Sequence, residues 1–150
     1  ETVKASEKTE WHTFLRTGTM YVVRQLKQPG SVVWKTGRWT PDEHGTVRFR
    51  WIANLGWRTQ PAGGKFTFYL GDEKLFDFDI TLKSAEWKSA DGKAVLRYTV
   101  KSLDRDEDSS GIMELTLPAA RLPAGGEPVE LRVEGSGPDS RRYFGLQESP

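Results

Sequence analysis

The sequence contains no cysteine, and this absence excludes disulfide bonds, thiol catalysis and cysteine-ligated zinc. Long apolar runs are also missing. None approaches the roughly 20 residues that a membrane-spanning helix needs, so no membrane span is expected. The 22 Lys and Arg residues nearly balance the 21 Asp and Glu residues, which leaves a formal net charge of +1. A charge field that would attract nucleic acid is therefore not expected.

Residues that carry catalysis are scarce. The sequence has two histidines, His12 and His44, and no nucleophile elbow, phosphate-binding glycine loop, dinucleotide fingerprint or HExxH motif. Asp77 and Asp79 alternate along a predicted strand, as the carboxylate pair of a glycosidase could. A solvated outer face explains these two carboxylates more simply. We therefore predict a domain that is not an enzyme and has no catalytic residues.

The chain has the length and composition of one globular domain, with 150 residues of which 36% are hydrophobic and 29% charged. It opens on Glu1-Thr2-Val3 without an initiator Met or a signal peptide, and we expect it to be a processed or excised piece of a longer protein. Residues 1–10 are polar and are predicted to form an N-terminal tail or linker. Residues 11–150 are then a single module.

Short apolar or alternating runs recur along the chain, each followed by Gly, Pro, Asp or Ser. Such runs are typical of strands, and many short strands indicate two packed sheets or a barrel. We predict an all-β, antiparallel two-sheet β-sandwich. The predicted strands are Thr13–Arg16, Met20–Leu26, Ser31–Thr36, Thr46–Ala53, Lys65–Leu70, Leu75–Leu82, Ala85–Ser89, Lys93–Ser102, Ile112–Leu117, Val129–Val133 and Tyr143–Gln147.

The pair Asp91-Gly92 fixes the register of one hairpin. A two-residue turn in which both residues have positive φ would pair Trp87 with Leu96 and Glu86 with Arg97. Apolar then faces apolar and acid faces base, as cross-strand pairing favours. This register predicts that Trp87 is buried in the core.

The sequence has six Trp, and a small sandwich core can absorb several of them, so their positions are more informative than their number. Trp57 lies in a loop with Arg58 and Gln60, where an indole can stack on a sugar ring while polar neighbours bind its hydroxyls. Trp39 is a second candidate at a loop edge, expected to be separate from Trp57. The alternative is that each indole folds back and caps the sandwich.

Alternation along Thr46–Ala53 places Arg48 and Arg50 on the face opposite Trp51, which is predicted to be a core residue. Two outward guanidinium groups near the loop of Trp57 would favour a carboxylated or sulfated glycan. They could equally be partners in surface ion pairs.

The acidic run of residues 104–111 resembles a calcium loop in part. Asp104, Asp106 and Asp108 have the alternation of the first oxygen ligands of an EF-hand. Ser109 replaces the turn glycine and Leu115 replaces the bidentate Glu, which excludes an EF-hand. A looser structural calcium site and a solvated acidic loop remain the two interpretations; no other cofactor is expected.

Several segments between Gly45 and Leu146 form a familiar set: VRFRWIANLGW at 47–57, QP at 60–61, FTFYL at 66–70, LFDF at 75–78, DSSG at 108–111, LP at 117–118, LRV at 131–133 and RYFGL at 142–146. With them, about two-thirds of the chain resembles accessory jelly-roll-like β-sandwich modules of bacterial carbohydrate-active hydrolases and esterases. It implies a secreted or periplasmic non-catalytic module that binds polysaccharide or oligosaccharide beside a catalytic domain of the same parent chain. The alternative is a structural or protein-interaction domain of a multidomain enzyme.

Overall fold

The computed structural model describes residues 3–12, 17–60, 64–104 and 107–147, with residues 10–12 and 17 by their backbone alone. These residues form twelve strands and two short 3₁₀ turns, Ala119–Arg121 and Ala124–Gly126. No helix among them is long and apolar enough to cross a bilayer. The strands are β1 (Val3–Ala5), β2 (Glu7–His12), β3 (Thr17–Arg24), β4 (Gly30–Lys35), β5 (Thr46–Gly56), β6 (Lys65–Leu70), β7 (Glu73–Phe78), β8 (Ala85–Lys88), β9 (Val95–Asp104), β10 (Asp108–Pro118), β11 (Glu130–Ser136) and β12 (Tyr143–Gln147).

The strands form two antiparallel sheets, which confirms the predicted β-sandwich. The five-stranded sheet has the order β1-β4-β11-β6-β7 and the seven-stranded sheet has the order β2-β3-β12-β5-β10-β9-β8. Four nested pairs, β3 with β12, β4 with β11, β5 with β10 and β6 with β7, alternate between the two sheets. This is the arrangement of a long hairpin rolled into two layers, as in a jelly roll.

Aromatic side chains from both sheets fill the space between them. Trp34 on β4 lies at the centre of this group and is 7% exposed. Its ring centroid is 5.3 Å from that of Trp51, 6.0 Å from that of Phe68 and 6.3 Å from that of Phe144. Trp34 is therefore the core residue that joins the two layers, and edge-to-face contacts stabilise the packing beyond simple burial.

The hairpin register predicted from Asp91-Gly92 is confirmed, because Trp87 pairs with Leu96 and Glu86 with Arg97. The turn itself differs from the prediction. Gly92 has a φ of +72°, whereas Asp91 is not among the residues with positive φ. Hydrogen bonds from the Ser89 and Gly92 amides close a longer loop with the same register.

Trp51 and Trp87 are half-buried, not fully buried as predicted. Trp87 contacts the core through Phe78, at 5.5 Å between ring centroids. It lies on β8, the edge strand of the seven-stranded sheet, where one side of each residue has no neighbouring strand to cover it. Residues on an edge strand keep the predicted register and still remain partly exposed.

Residues 3–10, predicted to be a tail or linker, instead belong to β1 and β2. β1 pairs with β4 at one edge of its sheet, and β2 pairs with β3 at the edge of the other. Charged residues such as Lys4, Glu7 and Lys8 gave this segment the composition of a linker, but charge is also typical of edge strands. The predicted strand Thr13–Arg16 lies outside the described residues.

Candidate functional site

The backbone of Trp57 has an unusual conformation that fixes where its indole lies. Its φ is +62°, and among the described residues it is the only non-glycine residue with positive φ. The Trp57 amide donates a hydrogen bond of 3.0 Å to Oδ1 of Asp108. The left-handed conformation costs a non-glycine residue roughly 1–2 kcal/mol, so this bond helps to hold the turn that ends β5.

The indole of Trp57 packs against the protein itself. It lies on a small cluster formed by Met20, Val22 and Tyr143, all fully buried, on the outward side of β3 and β12. The guanidinium carbon of Arg141 is 5.0 Å from the ring centroid, and Nε1 is buried. These contacts are those of a residue that covers an apolar cluster, and a sugar stacking on Trp57 would compete with them.

Arg58 and Gln60 share the Trp57 loop, but their backbone carbonyls already serve a structural purpose. The buried Arg142 donates from Nη1 to the carbonyls of Arg58, at 3.1 Å, and Gln60, at 3.5 Å. Its Nη2 donates to Oδ1 of Asp79 at 2.9 Å. Arg142 thus ties the loop to the segment after β7, a role that no local sequence pattern indicated.

Trp39 lies in the connection between β4 and β5, beyond the end of β5 opposite to Trp57. Its Nε1 donates a hydrogen bond of 2.7 Å to the Glu127 carbonyl, and its amide donates to the Gly126 carbonyl. The ring is half-buried against the core. The structure therefore places the two loop tryptophans in different neighbourhoods.

Arg48 and Arg50 are exposed on β5 and both take part in ion pairs. Nη1 of Arg48 donates to Asp42 at 2.8 Å, and Nε of Arg50 donates to Glu114 on β10. The second pair belongs to a row that continues across the sheet. Glu114 is next to Arg97, and Arg97 pairs with Glu86. Ion pairing explains why strand β5 tolerates both arginines.

The same two arginines also line a cavity of about 440 Å³ between the two sheets. This volume lies within the range of sites that bind small molecules. The described residues around it come from β1, β4, β5 and β12 and from the start of the β4–β5 connection. They are Val3, Trp34, Lys35, Thr36, Gly37, Arg48, Phe49, Arg50, Trp51, Leu146 and Gln147.

Two buried polar groups beside the cavity have no hydrogen bond to any residue that the structure describes. They are the side-chain amide of Gln147, which is 4% exposed, and Nε1 of Trp51. An unsatisfied buried polar group costs about 1–3 kcal/mol, so such groups call for a partner. The edge-to-face pair of Trp34 and Trp51 supplies an apolar wall of the cavity. Gln147 pairs with Met20 and alternates with Leu146, so its amide lies on the outward side of β12, whereas Trp34 and Trp51 face the space between the sheets. The unpaired Nε1 of Trp51 is therefore the polar group that belongs to the aromatic wall.

The acidic run brings two of its three candidate calcium ligands together. Asp104 and Asp108 are cross-strand partners at the ends of β9 and β10, while Asp106 lies outside the described residues. Burial raises the pKa of Asp108, and the nearby Asp104 and Glu107 carboxylates add to that effect. Across the described ranges, no group of three or more acidic or histidine side chains could hold a metal ion. The calcium site stays a prediction.

His44 is exposed, and its Nε2 lies 3.4 Å from Oε1 of Glu43. The side chain of His12 is outside the described part of the chain. Asp77 accepts hydrogen bonds from Thr67 and Lys74 on the outside of the five-stranded sheet, while Asp79 binds Arg142.

Comparison with protein-family models, with curated proteins and with solved structures finds no match to this chain. Its function must therefore be argued from the cavity and the loops.

Proposed function

We propose that this β-sandwich is a non-catalytic carbohydrate-binding module, and that a sugar unit binds in the cavity beside Trp51 and Gln147. The observation that carries the proposal is the cavity itself, which has the Trp34–Trp51 pair and the unpaired Nε1 of Trp51 in its lining. A secreted or periplasmic setting beside a catalytic domain is proposed from the sequence resemblance alone.

A pyranose matches the chemistry of this cavity better than a purely apolar molecule does. The unpaired Nε1 of Trp51 needs an acceptor, and each sugar hydroxyl supplies one. The C–H groups of a pyranose ring can pack on an indole, as the half-buried Trp51 would allow. An apolar ligand would leave this N–H unsatisfied and lose the corresponding free energy.

The Trp57 loop is the competing location for the same function. There Trp57 would stack on the sugar, with Arg58 and Gln60 binding its hydroxyls and Trp39 forming a separate contact elsewhere. Sugar binding at this loop requires Arg141 to leave the face of the indole.

Affinity electrophoresis against a panel of soluble polysaccharides, followed by calorimetry, tests both locations. Trp51→Leu keeps an apolar side chain on the core face of β5 and removes the indole with its N–H. We expect this variant, once it is shown to be folded, to lose about tenfold or more in affinity. Trp87→Leu, at a half-buried position outside the cavity lining, is the matched control and should bind as wild type does.

The outcomes separate the candidates. Unchanged binding by Trp51→Leu together with loss of binding in Trp57→Ala would move the site to the loop. Failure of every polysaccharide to bind the wild-type protein would overturn the proposed function and favour a structural or protein-interaction domain.

A further inference from the structure

Polar side chains of β5, β9 and β10 lie together on the outer face of the seven-stranded sheet. Asn54 pairs with Ser110 and Ser110 with Ser102, while Asp108 pairs with Asp104. Cross-strand partners, and residues two apart in one strand, project to the same face of a sheet. Asn54 lies between two core residues of β5, so the face that it shares with these partners is the outward one.

A small cavity of about 50 Å³ lies among these side chains. One water needs at least about 10–15 Å³, so the cavity can hold a metal ion with a water or two. Its lining consists of Asn54, Ser102, Leu103, Asp104, Asp108, Ser109 and Ser110. The Ser109 hydroxyl is already used, because it donates to the Thr81 carbonyl at 2.6 Å. The other polar residues of the lining offer oxygen atoms, and none of them is a cation.

Asn54 contributes a buried oxygen atom that lacks a partner. The residue is 3% exposed, and its Oδ1 accepts no hydrogen bond from any residue that the structure describes. Buried polar atoms without a partner are rare in folded proteins. An amide oxygen is an acceptor, so the group that it lacks is a donor or a cation.

The two carboxylates of the cavity also lack a cationic neighbour. No Lys or Arg in the described ranges forms an ion pair with Asp104 or Asp108. Oδ1 of Asp108 accepts the Trp57 amide, which leaves the second oxygen of this carboxylate for another partner. Four other aspartates of the chain each form an ion pair with a lysine or arginine: Asp42, Asp77, Asp79 and Asp91.

We propose that this cavity binds a calcium ion through oxygen atoms of Asn54, Asp104, Asp108 and Ser110. Calcium takes roughly six to eight oxygen ligands, among them carboxylates, amide oxygens and waters, in a flexible geometry. The sequence pattern predicted Asp106 as the third ligand, whereas the strand register supplies Asn54 and Ser110. The site lies outside the sandwich, away from the cavity between the sheets, and does not rest on the proposed function.

Titration with the metal alone tests the site. Protein freed of metal with EDTA and then dialysed should bind calcium with a Kd of about 0.1–1 mM, as extracellular modules with few charged ligands do. Magnesium keeps its waters and requires octahedral geometry, so it should bind at least about tenfold more weakly. About 10 mM calcium should raise the Tm by about 3–10 °C.

Substitutions locate the ion. Asp104→Asn, at an exposed position, keeps the side-chain shape and should weaken calcium binding about tenfold or more. Asn54→Leu removes the unpaired oxygen and should have a similar effect, while Ser110→Ala removes one hydroxyl and should weaken binding about two- to fivefold. Asp72→Asn is the matched control, because it removes one exposed carboxylate between β6 and β7 on the other sheet. It should bind calcium as wild type does.

Three outcomes would overturn the calcium site. The first is a wild-type protein with no heat of calcium binding and the same melting curve with EDTA as with calcium. The second is an equal loss of affinity in Asp72→Asn and Asp104→Asn, because binding would then follow net charge. The third is a loss in Asp104→Asn with unchanged binding in both Asn54→Leu and Ser110→Ala, since the acidic loop alone would then hold the ion. None of these outcomes bears on carbohydrate binding.

Discussion

Trp51 and Trp57 lie close together in the chain and have opposite surroundings. Trp51 is a strand residue that faces the space between the sheets, and it lines a cavity with its Nε1 unpaired. Trp57 follows β5 in a loop, and it covers the cluster of Met20, Val22 and Tyr143 with Arg141 over its ring. Both indoles are half-buried, and Nε1 of each has no hydrogen bond to a described residue. The difference lies in their neighbours, because Trp51 borders a cavity whereas Arg141 lies over the ring of Trp57.

Strand pairing explains the contrast. Within the described residues, β12 pairs with β5 only from Ala53 to Gly56, so Trp51 lies just past the last pair, where the two sheets separate around the cavity. Trp57 lies just past the other end of β5. Its positive φ turns the chain sharply, and the indole folds onto the outward face of the sheet.

The largest expected effect comes from removing the partner of Trp51. Trp34→Ala should destabilise the fold by roughly 3–5 kcal/mol, because Trp34 is buried between Trp51, Phe68 and Phe144. Trp57→Ala should cost roughly 1–2 kcal/mol, because the indole is half-buried on a small cluster. Urea denaturation measures both. Equal losses of stability in the two variants would mean that the cluster under Trp57 contributes as much to stability as the core around Trp34.

A glycine substitution tests the packing beneath Trp57. A Cβ at Gly56 would collide with Oδ1 of Asp108 and with the ring of Tyr143. Gly56→Ala should therefore destabilise the fold by roughly 1–3 kcal/mol, as overpacking does.

Gly37 is the matched control on the cavity side. A Cβ there meets no atom within 4 Å, and its φ is not in the left-handed region. Gly37→Ala should change the free energy of unfolding by less than about 1 kcal/mol, in the stabilising direction. Similar urea midpoints for the two alanine variants would contradict the tight packing around Gly56.

The architecture could be predicted from the sequence, because alternating apolar residues and turn residues act locally. The β5 pattern fixed the core face of Val47, Phe49 and Ala53, and the Asp91-Gly92 turn fixed a hairpin register. The strands β1 and β2 were missed, since edge strands use the same charged residues as linkers. Edge position also explains why Trp87 is more exposed than its register alone predicts.

The candidate site could be predicted only in part. Arg48 and Arg50 were chosen from their outward face on β5, and the structure places both at the cavity rim. Arg142 carries no local signal, because its partners Asp79 and Gln60 are distant in sequence. Long-range contacts of this kind are not encoded in periodicity or turn residues.

The smallest expected effects are changes of stability with pH. They have opposite signs at the Asp42–Arg48 pair, on the cavity side, and at Asp108, beneath Trp57. Hydrogen bonds from the Thr46 amide and from Arg48 lower the pKa of Asp42 from 3.8 to about 2. The unfolded chain therefore takes up this proton before the folded protein does. The ion pair stabilises the fold above pH 4, and that contribution is lost as the pH falls from about 4 to about 2. Asp42→Asn should remove this part of the acid sensitivity.

Asp108, beneath Trp57, should act in the other direction. Burial raises its pKa, so the folded protein binds the proton more tightly than the unfolded chain does. The contribution of Asp108 to the free energy of unfolding is then largest below its ordinary pKa of 3.8, and it is lost as the pH rises through the raised pKa of the folded protein. Asp108→Asn retains an oxygen acceptor for the Trp57 amide and carries no charge. We expect the variant to equal wild type at pH 3 and to exceed it at pH 7 in urea midpoint. A variant that is less stable than wild type at pH 7 would show that the ionised carboxylate is stabilised by its hydrogen bonds from the Trp57 amide and Tyr143 or by a bound cation. Calorimetry with added calcium would separate these two explanations.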